Sequence, residues 1–207
     1  MSVLTMRPGR ENRVHLLLDG AYAMTVDSDF VAFTGLYENM ELDDEALTSL
    51  EGEVNARRAF NKASELLARR DHSEKELREK LRQKGFAAGA DAAIEKLRGY
   101  GYVDDARFAA RYAAELQRVK QYGRKRIEQE LFRKGVDRAV IAETLDAMTF
   151  DADDLAALIE RKYAGRLNTE KGVAPPVAAL QRRGYGFREI RDALEQAQQA
   201  QEEEEEA

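Results

Sequence analysis

Cysteine and tryptophan are absent from the 207 residues, and histidine occurs only twice. Without cysteine there is neither a disulfide nor a thiolate metal site. Proline appears three times, so little interrupts a composition led by Ala, Leu, Glu and Arg, which favours helix through most of the length. No apolar run nears the roughly 20 residues that span a bilayer. The N-terminus, where Arg7, Arg10 and Arg13 surround a Pro-Gly pair, lacks the apolar core of a signal peptide. The expected setting is the cytoplasm, with no membrane contact. Also missing are Gly-x4-Gly-Lys-Ser/Thr, His-Glu-x-x-His and Gly-x-Ser-x-Gly. Gly184-Tyr185-Gly186 follows a helical pattern rather than a strand, so it is no dinucleotide fingerprint. The expectation is a protein that is not an enzyme and has no cofactor, metal or small-molecule substrate.

What the chain does contain is a phrase written three times: LRQKGF from Leu81, LFRKGV from Leu131 and LQRRGY from Leu180. Each reads Leu, two residues, a cation, Gly and a hydrophobe, and the copies are 50 and 49 residues apart. A register held that closely signals a tandem array of one supersecondary unit. Eight residues before each Leu stands a helix-starting Ser73, Gly123 or Gly172, and Gly85, Gly135 and Gly184 supply the left-handed residue that ends a helix. Three helices per unit result. The expected fold is mainly α: an elongated, curved array of three three-helix repeats at 57–103, 104–150 and 151–197. A small N-terminal β-hairpin and helix occupy 1–56, and an acidic tail, a frayed helix or disordered, occupies 198–207.

Within 1–56, RVHLLLDGAYAMTV places two apolar runs around Asp19-Gly20, suited to a type I′ hairpin turn. Phe30–Phe33 reads as a third short strand, and Leu42–Val54 as a short amphipathic helix capped by Asp43 or Asp44. In the first repeat, Ser73 and Glu76 form a capping box, Glu76 is placed to pair with Lys80, and about three extra residues separate the second and third helices. Asp104 and Asp105 precede a helix and read as caps rather than as a metal or acid–base pair. Tyr100, Tyr102 and Phe108 read as a packed corner, and His15 and His72 as ordinary surface or edge residues. Pro175 and Pro176 fit only the first turn of the third repeat's second helix.

The net charge of −6 conceals an asymmetry. Residues 1–56 hold 3 Lys/Arg against 11 Asp/Glu, residues 57–146 hold 22 against 15, and residues 147–207 hold 8 against 13. A basic centre inside an acidic protein points to a polyanionic or acidic partner for that centre.

Three stretches carry a resemblance: LLARRDHSEKELREKLRQKG (66–85), YGYVDDARFAARY (100–112) and YGRKRIEQELFRKGV (122–136). Over roughly 57–195 the chain resembles the RecX family, which regulates the RecA recombinase. The resemblance implies a curved array of three-helix units lying in the groove of the RecA filament on DNA and restraining ATP hydrolysis, strand exchange and coprotease activity. It implies RecA and single-stranded DNA as partners and a role in recombination, DNA repair and the SOS response. A monomer is expected. The third unit, with its Pro pair and no capping box, departs most from the family pattern.

The candidate contacts to RecA or DNA are the cations of the second helices and of the KQYGRKR bridge. They are Lys75, Arg78, Arg82 and Lys84 in the first unit; Lys120, Arg124, Lys125, Arg126, Arg133 and Lys134 in the second; and Arg182 and Arg183 in the third. Repeated units carry equivalent positions onto one surface, making a stripe that can follow phosphates or carboxylates. Tyr122 is placed to stack on a base. Two other readings remain open: a free-standing DNA-binding protein that uses the second helices for recognition, and an adaptor for another acidic protein.

Overall fold

A computed structural model describes residues 1–167 and 174–206, with side chains described for 1–163 and 176–200. It contains ten α-helices and one four-stranded antiparallel sheet among the described residues. Two compact units divide it, residues 1–69 with 78–100 and residues 70–77 with 101–207.

The chain opens with β1 (Ser2–Pro8), β2 (Arg13–Leu18) and β3 (Ala21–Asp27). The β2–β3 turn is the expected one: Asp19 and Gly20 both have positive φ, 49° and 81°. Asp19 is used twice more, accepting the Val3 N–H at 2.9 Å through its carboxylate and donating its own N–H to the Val3 carbonyl at 3.0 Å. This ties the turn to β1. Residues 30–33, read as a short strand, instead lie in helix α1 (Ser28–Thr34), closed by Gly35 at φ 68°. Phe30 is buried while Phe33 is 84% exposed, so one side chain anchors a helical turn where two apolar residues suggested a strand. A fourth strand, β4 (Met40–Leu42), pairs with β1, giving the order β3-β2-β1-β4. Leu4, Leu16, Val26, Phe30, Leu42, Leu50 and Val54 form one core beneath it.

Helix α2 (Asp44–Leu67) is capped by the Asp43 carboxylate, which accepts the Ala46 N–H at 2.8 Å. It runs unbroken through the expected end near Val54. The reason lies in its two apolar segments: Leu50 and Val54 cover the sheet, while Ala59, Ala63 and Leu66 are buried in the first repeat. The extension and the first repeat therefore share one helix.

The first repeat continues with α3 (Glu74–Gln83), a 3-10 turn (Ala87–Gly89) and α4 (Ala90–Gly99). The 3-10 turn accounts for the extra residues of this copy. Gly89 is required there, since a Cβ would meet the Asn55 carbonyl oxygen of α2 at 2.1 Å. The second repeat comprises α5 (Asp105–Glu115), a π-helical turn (Leu116–Lys120), α6 (Arg124–Arg133) and α7 (Arg138–Asp146). The third comprises α8 (Ala152–Leu167), α9 (Ala174–Arg182) and α10 (Phe187–Glu206). Pro175 and Pro176 occupy the first turn of α9, whereas Gly172 lies outside the described residues. The acidic stretch, expected to be a frayed helix or disordered, continues α10 as far as Glu206. Its Gln, Ala and Glu are good helix formers, and extending a helix already anchored by Ile190, Leu194 and Ala197 avoids the cost of nucleation.

The repeated phrase is a Schellman helix ending. The hydrophobe's N–H donates to the Leu carbonyl in each copy: Phe86 to Leu81 at 2.9 Å, Val136 to Leu131 at 3.3 Å and Tyr185 to Leu180 at 3.2 Å. The glycine N–H donates to the next carbonyl along, that of Arg82, Phe132 or Gln181. Gly85, Gly135 and Gly184 hold φ of 86°, 79° and 91°, and the three leucines are fully buried. Leu and Gly are thus fixed by packing and backbone, leaving the cation between them free to vary in role.

Candidate functional site

The first turn of α3 is completed by residues from the second repeat. Ser73 Oγ accepts the Glu76 N–H at 3.2 Å, the expected half of a capping box, and donates to the Lys134 carbonyl at 2.5 Å. The Glu74 N–H donates to Asp105 Oδ1 at 2.8 Å, so Asp105 caps a helix other than its own. Asp104 accepts the Arg107 N–H at 2.9 Å and caps α5. Both aspartates are caps, Asp104 of the helix its position predicted and Asp105 of α3 instead.

Glu76 does not reach Lys80. It accepts from Arg70 at 2.6 and 3.1 Å and from Lys134 at 3.1 Å, and it lies 3.2 Å from His72 Nδ1. His72 is 4% exposed and so belongs to this cluster rather than to the surface. Lys134 also lies 5.6 Å from the Tyr112 ring centroid, and Tyr112 stacks on buried Phe108. Tyr100 and Tyr102, expected in a packed corner, are about 60% exposed; Tyr100 makes an edge contact with Phe60.

The same joint is built again between the second and third repeats, with different chemistry. Gly123, at the position of Ser73, donates its N–H to the Arg183 carbonyl at 2.8 Å. Arg183 stands where Lys134 stood. At the position of Glu76 there is now Arg126, which pairs with Glu130 at 2.9 Å and lies 5.5 Å from the Tyr122 ring centroid. Among the described residues, the Arg183 guanidinium pairs with no carboxylate. It donates to Gln121 Oε1 at 3.3 Å, and Lys162 Nζ donates to the same oxygen at 2.6 Å. Tyr185 OH donates to the Gln121 carbonyl at 3.3 Å. Desolvation, followed by the Arg183 and Arg161 charges, lowers the pKa of the Lys162 ammonium. Burial raises that of the Tyr185 phenol.

Gln121 is held in the left-handed region at φ 55°, directly after the π-helical turn. A non-glycine residue there stores of order 1–3 kcal/mol of strain, and such outliers cluster where a ligand is held. A cleft of about 590 Å³ that Gln121 and Tyr185 help to line balances Arg118, Arg124, Arg161 and Arg188 against Asp151, Asp154, Glu189 and Asp192. The excess positive charge therefore comes from Lys162 and Arg183, which bond Gln121 and are not part of that lining.

The other candidates separate into two groups. Arg78 pairs with Asp91 at 2.7 Å, and Arg133 pairs with Glu130 at 3.0 Å. Arg124 donates to the Leu145 carbonyl and to Asp146, closing the end of α7. Lys75, Arg82, Lys84, Lys120, Lys125 and Arg182 are exposed and make no ion pair among the described residues. The stem of Lys75 packs on Gly135. Tyr122, expected to be open to a base, is half-buried against the core of the second repeat. Sequence reading missed Lys162 and Gln121; the only signal was the adjacent Arg161-Lys162 pair on α8.

Two family models match the chain, described as the first RecX three-helix domain over residues 59–97 and the second over residues 104–145. A regulatory protein RecX from Bacillus velezensis is 34% identical over 90% of this chain and 73% of its own length. One from Trichlorobacter lovleyi is 38% identical over 64% of this chain and 91% of its own. The fold is similar to a crystal structure of regulatory protein RecX, with a TM-score of 0.67 and 21% identity over 92% of this chain and 98% of that one. These similarities span both the sheet-bearing region and the helical repeats, and the chain belongs to the RecX family of regulatory proteins.

Proposed function

We propose that the chain regulates RecA by lying along the RecA–DNA filament, with its repeats at 57–103, 104–150 and 151–197 as successive contact segments. Bound there as a monomer, it restrains ATP hydrolysis, strand exchange and coprotease activity. The observation that supports this reading is the second joint, where Lys162 and Arg183 share one neutral oxygen and, among the described residues, pair with no carboxylate. Like charges held together favour an anion that neutralises both, whether a phosphate of the DNA or a carboxylate of RecA. Exposed Lys125, Lys120 and Arg182 extend the same chemistry, and several weak contacts along one filament multiply through effective concentration.

The test is RecA ATP hydrolysis on single-stranded DNA, titrated with the wild-type chain and with Lys125→Glu and Lys162→Glu variants. These two side chains close no helix end, unlike Arg124, whose reversal would disturb α7. Half-inhibition is expected to require about tenfold more of the Lys162→Glu variant, equivalent to about 1.4 kcal/mol of binding. An unchanged hydrolysis rate at severalfold molar excess of wild type would sink the proposal. Tight, sequence-specific duplex binding without RecA would favour the recognition-helix reading instead.

A further inference from the structure

The unit formed by residues 1–69 with 78–100 holds a second cationic feature, built on cations other than the candidates above. Residues 1–56 are strongly acidic, yet a cleft of about 420 Å³ in this unit gathers Arg13 from β2 and Arg57, Arg58 and Lys62 from α2. Only two carboxylates line it, Asp27 and Glu65. Glu65 is taken by Lys62 at 2.5 Å, and Asp27 faces Arg13 across the β2–β3 ladder. Arg58 is oriented by a 2.8 Å hydrogen bond from Nη2 to the Thr25 carbonyl. Arg13 and Arg57 are exposed and make no ion pair among the described residues. The apolar lining comprises Val26, Phe30, Val54 and the half-buried Phe86.

Guanidinium groups at the rim of a cleft with an aromatic wall match a phosphate attached to a flat, apolar-faced ring. Arginine engages phosphate oxygens through paired N–H donors, and every nucleobase offers a face to an aromatic side chain. The volume lies within the roughly 300–1,000 Å³ of small-molecule sites. We propose that this cleft binds a nucleotide unit, with its phosphate held by Arg13, Arg57 and Arg58 and its base against Phe86. A free nucleoside triphosphate and a nucleotide within a single strand present the same chemistry to it.

The experiment uses the full chain and a double variant, Arg13→Glu with Arg57→Glu. Both side chains are exposed, so an unchanged melting temperature and helical circular dichroism are expected and confirm the fold. Calorimetric titration with ATP and fluorescence anisotropy with a labelled oligothymidylate, repeated over a salt series, are read in parallel. A fivefold or greater loss of affinity for ATP assigns the site to a free nucleotide. A similar loss confined to the oligonucleotide, with a salt slope shallower by about one, assigns it to a strand. Losses below fivefold for both ligands, or failure of the wild-type chain to bind either, would overturn the proposal. Because no RecA is present, the outcome is independent of the ATPase test.

Discussion

Gly184→Ala is expected to destabilise the protein by about 3 kcal/mol or more, whereas Gly85→Ala, at the equivalent place in the repeat, is expected to cost about 1–2. The two glycines share a local conformation, with φ of 91° and 86°, so each pays a similar left-handed penalty of about 1–2 kcal/mol when a Cβ is added. Their surroundings differ. A Cβ on Gly184 would lie 2.3 Å from the Arg126 backbone nitrogen, 2.5 Å from its Cβ and 2.9 Å from its Cα, while nothing lies within 4 Å at Gly85. Backbone cannot swing aside as a side-chain tip can, so the start of α6 and the end of α9 would have to separate. Overpacking of that kind adds about 1–3 kcal/mol. Across the same contact, a Cβ on Gly123 would sit 2.8 Å from the Gly184 carbonyl carbon; this joint is closed by two glycines. Thermal denaturation of the two variants side by side is the check. Equal drops in melting temperature would show that the close approach at Gly184 carries no extra stability.

Loss of the Glu76 carboxylate should produce the second large effect, about 2–3 kcal/mol for Glu76→Ala, since Arg70 and Lys134 would be left facing each other and His72 without their shared acceptor. The side chain is 15% exposed, which places the estimate below that for a fully buried pair. Burial alone would raise the Glu76 pKa, but the hydrogen bonds from Arg70 and Lys134, the Lys134 charge and the His72 contact outweigh it and hold the value at about 2, against an ordinary 4.5. A carboxylate depressed in the folded state contributes its stability above the unfolded pKa, and that contribution is lost as pH falls through the folded one. The wild type should therefore lose stability between about pH 4.5 and about pH 2, and Glu76→Gln should flatten that part of the curve. Urea denaturation midpoints measured across this range test it. Parallel acid profiles for the two proteins would remove Glu76 from the account.

Features written within a few residues of one another were legible in the sequence. The Leu, cation, Gly, hydrophobe phrase specifies a Schellman ending because all its hydrogen bonds close within six residues, and Asp19-Gly20 and Asp104 are equally local signals. Strand β4 was not legible, since its three residues become a strand only by pairing with β1 at the other end of the extension. Residues 30–33 carried the apolar content of a strand, and only the packing of Phe30 in the core selects the helix. At the site, Lys134 and Arg183 were recognised as cations, but their opposite circumstances were not. Glu76 neutralises one and Gln121 and Lys162 crowd the other, and those partners come from distant segments that no local pattern reports.

The joints also impose an order on biosynthesis. Ser73 and Glu74 wait for the Lys134 carbonyl and the Asp105 carboxylate, and Gly123 waits for Arg183. A chain emerging from the ribosome thus has the first turn of α3 incomplete until most of the second repeat has followed, and that of α6 incomplete until α9 is made. The second helices of the first two repeats are thus started against residues of the repeat that follows. A stop codon within the third repeat would consequently leave its mark on the second, at Gly123, and premature products should be recognised by proteases at that helix start before the missing segment itself is ever noticed.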